Sequence, residues 1–360
     1  MDDKKNIYIA ARFLTQPITG VQRFGIEICK ELKYIESKYK FEIISPYNII
    51  SYDEFKELNA KIIGKFKGSI WDQLDLFIYL IKKKNPLLIC LANSSSILYR
   101  NKIITIHDII HLKYPTNKWY KRYYKIIFPL MIKTSKHIIT VSEFSRDEIH
   151  KYYNINKNKI SVIYNGVSKE FKPCPKKEIS EKYILGLSSI AYHKNFKALI
   201  KAFIKIKNKK IKLYIVGENN KKIYGYTSSD LYNYIEKDFK ERIKFLGRVS
   251  EKELIKLYSN SICFVYPSLY EGFGIPPLEA QACGCPVLLS NIKVFKEVYK
   301  DSVIYFDPYD ENDIANKIEL IIENTEIKNE LINKGFENAR KYTWEKAARK
   351  LLEVIENNIK

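Results

Sequence analysis

The sequence has no stretch approaching the ~20 apolar residues that cross a bilayer core, and no apolar run preceded by basic residues near its start. A cytoplasmic protein, soluble or peripheral on a membrane face, is the expectation. Cysteine is sparse: Cys29, Cys90, Cys174, Cys263, Cys283 and Cys285 are scattered, several inside apolar runs where a reduced thiol packs as a small hydrophobe. Cys283 and Cys285 form the one close pair, and with no second cluster and no nearby histidine they do not make a zinc site. Acidic residues are the minority charge, 41 against 62 basic, which leaves a formal net charge of +21. Such an excess is explained by a genome rich in Lys, Ile, Asn and Tyr codons, by attraction to anionic lipid, or by nucleic acid. No helix-turn-helix pattern, zinc finger or RNP-type aromatic motif is present, so nucleic acid is the weakest of the three. Internal repeats and low-complexity linkers are also lacking.

At 360 residues, the chain exceeds one ordinary core of roughly 150 residues and suits two. Short apolar runs alternate with longer amphipathic segments. Ile7–Ala11, Phe41–Ser45, Leu87–Leu91, Ile103–Ile106 and Ile138–Val141 read as strands of a first series. After the polar, proline-bearing stretch Ser168–Glu181, a second series comprises Tyr183–Ser188, Lys212–Val216, Ile243–Leu246, Ile262–Tyr266 and Val287–Ser290. Alternation of this kind predicts parallel sheets covered by helices on both faces, an α/β fold of two Rossmann-like domains with ligands beyond the carboxyl ends of the strands. The domains span residues 1–170 and 171–342.

The segment Tyr270–Asn291, YEGFGIPPLEAQACGCPVLLSN, sets Glu271 and Glu279 apart across a glycine-bearing turn. Glu271 follows a strand, and Glu279 follows Pro276 and Pro277, where a helix can begin. Strand, glycine loop and helix make an anion site: backbone N–H groups of Gly272, Phe273, Gly274 and Ile275 can face a phosphate, and the helix dipole favours its charge. The two glutamates then flank the phosphate and can accept hydrogen bonds from sugar hydroxyls. Lys194, in LGLSSIAYHKNF just after the first strand of the second series, can face a bound diphosphate. His107 and Asp108 follow Ile103–Ile106 at the carboxyl end of a strand, where a histidine titrating near neutrality can donate to a hydroxyl or a phosphate. Asp108 is placed to orient it or to cap the next helix.

The Glu-x7-Glu string, with PSLY before it and ACGCPV after it, resembles the signature of glycosyltransferase family 4, the retaining nucleotide-sugar-dependent transferases of GT-B fold. Further matching segments, ITGVQRF, ITVSEFSRDEI and VIYNGV, make the resemblance global, from about residue 18 to 350. It implies two facing Rossmann-like domains with a deep cleft between them, an acceptor-binding first domain joined by a returning helix at about 343–360, and a nucleotide-sugar-binding second domain. Residue by residue, it implies that Lys194 of the K-N pair neutralises the donor phosphates, that Glu271 orients the donor sugar, that Glu279 meets the ribose and that His107 meets the sugar or phosphate. Gly20 corresponds to a glycine loop near the donor phosphates, with one glycine where two are common. Many members carry an arginine where this chain has Ser188 and Ser189; Arg248 is the substitute cation, and the backbone around Val249 sits where the family contacts the base. Arg23 touches an anionic acceptor or is a solvated helix residue, and Ser142 caps a helix or meets ligand.

The expected activity is retaining transfer of a hexose from a nucleotide diphosphate sugar to a glycan or lipid-linked acceptor in surface polysaccharide or lipopolysaccharide assembly. GFGIPPLEA resembles mannosyltransferase-like members, which implies GDP-mannose. No Asp-x-Asp occurs, so neither a metal nor another cofactor is expected. The competing readings are a nucleotide-sugar epimerase or phosphorylase of similar shape, and a non-catalytic basic scaffold. Helical spacing over Lys118–Met131 sets Lys118, Lys121, Arg122 and Lys125 on one face and Tyr120, Tyr124, Ile127, Phe128 and Met131 on another. That helix either lies on anionic lipid or is a domain helix with a wet basic face, and Pro129 is expected to end or kink it.

Overall fold

The computed structural model describes residues 5–115, 118–175, 181–217, 228–232, 235 and 237–359. The chain divides into two compact units, Met1–Gly166 with Thr343–Lys360, and Val167–Tyr342.

The first unit contains β1 (Lys5–Ala10), α1 (Gly20–Leu32), β2 (Tyr39–Ser45), α2 (Tyr52–Glu57), β3 (Lys61–Ile62), α3 (Gly68–Gln73), α4 (Asp75–Lys82), β4 (Leu87–Cys90), β5 (Lys102–Thr105), α5 (Ile110–Lys113), α6 (Lys118–Thr134), β6 (His137–Thr140), α7 (Glu143–Tyr153) and β7 (Ile160–Val162). Its seven strands lie in the order β3-β2-β1-β4-β5-β6-β7, every pairing parallel. Helices cover both faces, so the central strands are buried along their whole length and read as continuous apolar runs.

The second unit contains β8 (Tyr183–Leu187), α8 (Phe196–Lys205), β9 (Lys212–Val216), α9 (Ser228–Tyr232), β10 (Ile243–Gly247), α10 (Glu251–Asn260), β11 (Phe264–Tyr266), α11 (Ile275–Ala282), β12 (Val287–Ser290), α12 (Lys293–Tyr299), β13 (Ile304–Phe306), α13 (Glu311–Glu323) and α14 (Thr325–Ala339). The order is β10-β9-β8-β11-β12-β13, again all parallel. The closing helix α15 (Trp344–Asn358) belongs to the first unit, where Trp344 sets its ring edgewise on Phe24 of α1 at 6.2 Å.

Ten strands stand where the apolar runs lie. Three more, β3, β7 and β13, went unseen because they are sheet-edge strands of two or three residues, too short to show a period. Strand order reverses between β1 and β4 in one sheet and between β8 and β11 in the other. At such a reversal the flanking loops leave in opposite directions and open a crevice at the carboxyl ends of the strands.

On α6, Phe128 and Met131 are buried, with Tyr124 and Ile127 packed against the same core. The side chains of Lys118 and Tyr120 lie outside the described residues. Pro129 does not end α6, which runs on to Thr134 with Pro129 exposed on its outer side. Among the described residues no helix is long and apolar enough to cross a membrane.

Candidate active site

In the second unit, the loops after β8 and β11 meet at the strand reversal. After β8 the chain makes a 3-10 turn, Tyr192–Lys194, and passes through Asn195, whose φ of 55° turns it into α8 and whose side-chain amide donates to the Pro308 carbonyl at 2.8 Å. The backbone N–H of Leu269 donates to the His193 carbonyl at 2.7 Å and ties the second loop to the first. Lys194 Nζ thereby lies 2.5 Å from Glu271 Oε1 and 3.3 Å from the Tyr266 hydroxyl. The two ionised side chains are only 12% and 11% exposed.

Burial opposes both charges of this pair, and each partner more than offsets it for the other. Lys194 is held above the ordinary lysine range by Glu271 and Tyr266, and Glu271 below the ordinary carboxylate range, chiefly by Lys194. His193 goes the opposite way: burial, reinforced by the Lys194 charge and opposed by Glu271, lowers its pKa to about 3, so its imidazole is neutral.

Beyond Glu271, residues 272–275 are buried and lead into α11. Gly274 caps that helix at φ 92°, a left-handed conformation disfavoured for residues with a Cβ, and a Cβ here would stand 2.8 Å from the Phe295 ring. The Tyr299 hydroxyl donates to the Gly274 carbonyl, and Phe273 packs edgewise on Tyr342 at 5.7 Å. Pro276 and Pro277 occupy the first turn of α11, where missing N–H groups cost nothing. Glu279 follows on the same helix, buried, accepting from the Tyr258 hydroxyl at 3.4 Å. Gly217, at the end of β9, admits the Ser188 carbonyl so closely that a Cβ would stand 1.8 Å from it.

The structure does not bring Arg248 to this pair. Arg248 is exposed after Gly247 on β10, two strands away from β8, with Val249 half-buried and Ser250 capping α10.

In the first unit, His107 follows β5 and is buried. Its N–H donates to Asn93 Oδ1 at 3.0 Å, its carbonyl accepts from the Thr140 hydroxyl at 3.2 Å, and its ring meets Phe24 edgewise at 5.0 Å. Nε2 lies 3.1 Å from the Leu91 carbonyl. A carbonyl can only accept, so Nε2 carries the proton and Nδ1 is left as an acceptor. Burial lowers the pKa to about 4, the Leu91 bond opposing it. The expectation of a donor titrating near neutrality is therefore corrected: His107 is a neutral imidazole whose one proton is spent on backbone. Asp108 accepts from the Ile110 N–H at 2.9 Å in the turn before α5, whose N-cap is Ile109 and has no side-chain cap bond. Ser142 caps α7 by accepting from the Ser145 N–H at 3.0 Å. Gly20 is the first residue of α1, behind Thr19, whose N–H donates to Gln22 Oε1 at 3.2 Å.

Sequence reasoning missed Tyr266, Tyr258 and His193. Tyr266 was legible as the last residue of a strand, the position that faces ligands in such sheets, whereas Tyr258 and His193 show their part only once helix and loops are packed. Cys285 Sγ lies 2.9 Å from the Ser261 hydroxyl, and Cys283 and Cys285 are both buried thiols.

A cation and a carboxylate in a water-poor site beside a helix N-terminus can meet an anion and hydroxyl groups together. The profile for Glycosyl transferases group 1 matches residues 168–338, and that for Glycosyltransferase Family 4 matches residues 63–171. The O-antigen chain mannosyltransferase RfbU of Salmonella typhimurium is 34% identical over 305 residues, covering 82% of this chain and 80% of that protein. O-antigen chain mannosyltransferase B of Escherichia coli is 26% identical over 376 residues, 94% of this chain and 96% of that protein. Among solved structures, Anabaena Alr3699/HepE in complex with UDP and glucose, 16% identical, matches with a TM-score of 0.79 over 98% of this chain and 100% of that one, a likeness of GT-B fold. The chain belongs to the group 1 glycosyltransferases, family 4, and its activity is glycosyl transfer.

Proposed function

We propose that this enzyme transfers a hexose, mannose in preference, from a nucleotide diphosphate sugar to a hydroxyl of a glycan or lipid-linked acceptor, with retention of anomeric configuration, in surface polysaccharide or lipopolysaccharide assembly. The observation that carries the reading is the Lys194–Glu271 pair at the strand reversal, beside the N-terminus of α11. The names of the relatives RfbU and mannosyltransferase B favour mannose, with GDP-mannose as donor.

Transfer requires stabilising a departing diphosphate and an electron-poor anomeric carbon. Lys194 supplies the cation for the diphosphate, together with the Gly272–Ile275 amides and the α11 dipole. Glu271 is released from the lysine to orient the donor sugar, and Glu279 meets the ribose. The backbone around Val249 stands for the base, and Gly20 for a backbone approach to the phosphates. His107, with Nδ1 as its free acceptor, takes a hydrogen bond from a sugar hydroxyl rather than giving one to phosphate. With Lys194 in this role and no Asp-x-Asp in the sequence, turnover is proposed to need no divalent metal. The enzyme is proposed to work in the cytoplasm, peripheral on the inner membrane face.

Thermal denaturation with GDP-, UDP-, dTDP- and ADP-sugars tests the donor site. A ligand at ~100 times its dissociation constant adds about 2.7 kcal/mol, so a selective rise lost in Glu279→Ala supports the reading. No rise with any nucleotide sugar sinks it. Acceptor-dependent release of nucleoside diphosphate separates transfer from epimerisation and phosphorolysis. Turnover abolished by a chelator and restored by a divalent ion would overturn the metal-free reading.

A further inference from the structure

The segment Lys67–Lys84, KGSIWDQLDLFIYLIKKK, is apolar on two sides, and only one of them faces the core. Trp71, Leu76 and Leu80 are fully buried. Ile70, Leu74, Ile78 and Ile81 are between 46% and 56% exposed. Leu74 is the one residue between α3 and α4. Its N–H donates to the Ile70 carbonyl and its own carbonyl accepts from the Ile78 N–H, both at 2.9 Å, so helical bonding runs across the junction. The four residues therefore form one outward stripe about 17 Å long at 1.5 Å per residue. A helix with a covered apolar face needs no second one for folding, and large exposed apolar stripes mark binding surfaces.

The charge around this stripe is mostly basic. Lys65 and Lys67 stand before it and Lys82, Lys83 and Lys84 after it, all exposed. From Leu58 to His107 the acids are Asp72 and Asp75. Asp72 is buried against Arg12, and Asp75 accepts the backbone N–H groups of Lys65 and Phe66 at 2.9 and 2.8 Å. On α6, whose Tyr123 hydroxyl lies 3.2 Å from Ser69 Oγ, Ile126 and Leu130 are exposed as well, and the helix has no acid.

We propose that the α3–α4 stripe is a membrane-docking surface for an anionic bilayer: Ile70, Leu74, Ile78 and Ile81 enter the interface while the flanking lysines meet lipid phosphates. The stripe is a convex helix face. A fluid apolar phase adapts to that shape, whereas a protein partner would need a matching groove and acidic rim. The proposal deepens the reading of a membrane-face enzyme, moving contact from the basic face of α6 to a different pair of helices, and it does not require the transfer reaction to be as described.

Flotation with vesicles of phosphatidylcholine alone and of phosphatidylglycerol mixed with phosphatidylcholine tests it, with thermal denaturation by GDP-mannose run beside it. Wild type is expected to float with the anionic vesicles and not the neutral ones. Ile78→Asp/Ile81→Asp lowers the bound fraction at least about tenfold, and Lys82→Gln/Lys83→Gln/Lys84→Gln removes the preference for phosphatidylglycerol. Both variants change exposed side chains, and an unchanged melting temperature and nucleotide response verifies folding. Wild type floating with neither vesicle, or floating equally after Ile78→Asp/Ile81→Asp, overturns the proposal while leaving the donor-site reading to its own test. A dimer in sedimentation that Ile78→Asp/Ile81→Asp disperses also overturns it, because the stripe then serves a second copy of the chain.

Discussion

Replacing Lys194 with methionine keeps the stem and deletes the ammonium, leaving Glu271 charged at 11% exposure with its 2.5 Å partner gone. Removing one member of a buried ion pair costs about 3–5 kcal/mol, because the survivor keeps its desolvation penalty without its attraction. For a unit of this size that is a fall of roughly 6–20 °C in the melting temperature. Lys194→Met/Glu271→Gln removes the orphaned charge and is expected to recover at least about 2 kcal/mol of the loss. The pH dependence has a definite sign at each end. Glu271 is held below the ordinary carboxylate value of 4.5, so its contribution is complete above that value and is lost as pH falls through the folded value. Lys194 is held above 10.5, so its contribution is complete below 10.5 and is lost as pH rises through the folded value. The wild-type pair's contribution is therefore flat between about pH 5 and 10, whereas in Lys194→Met burial pushes the orphaned Glu271 carboxyl up, so the deficit grows as pH rises above the ordinary carboxylate range. Urea denaturation of wild type, both single variants and the double variant measures the coupling. If Lys194→Met is as stable as wild type, or the double variant is no better than Lys194→Met, the buried-pair reasoning is refuted. The same variant should lose the nucleotide-sugar response, since the cation for the diphosphate is gone.

Three further substitutions probe packing within the two units. His107 is held near pKa 4, so the unfolded chain takes up a proton between pH 6.5 and 4 that the folded one refuses. Its contribution is present above 6.5 and lost on acidification; His107→Asn should reduce the stability difference between pH 7 and 4.5 by about 2–3 kcal/mol in urea titrations, and an unchanged difference would show that the imidazole is not buried neutral. Gly274→Ala meets both a φ of 92° and the Phe295 ring, so calorimetry should show a loss of about 2–4 kcal/mol, and wild-type stability would mean the loop does not take this conformation. Trp344→Ala empties the space between α15 and α1 and should cost about 3–5 kcal/mol by urea denaturation; a loss below about 1 kcal/mol would place that ring outside the core.

The central strands were readable because strands buried on both faces must be apolar throughout. The loop-helix of Glu271–Glu279 was readable because glycine and two prolines restrict where a chain can turn and where a helix can start. The protonation of His107 was not readable. It depends on the Leu91 carbonyl from a neighbouring strand and on Phe24 from α1, neither of which a local reading can place. Arg248 was assigned as a second cation by its place after a strand, yet β10 lies at the sheet edge, two strands from Lys194.

By itself, the sequence determined two parallel α/β units, the place of each central strand, and the residues with the right chemistry at their carboxyl ends, since these follow from side-chain polarity and local backbone preference. Only the tertiary structure decided which of those residues meet. Lys194 and Glu271 stand 77 positions apart and touch because β11 passes over β9 and β10 to pair with β8. The outward turn of Ile70, Leu74, Ile78 and Ile81 was decided the same way: a segment apolar on two sides has no local signal for which side the core will take, and the packing of Trp71, Leu76 and Leu80 settles it.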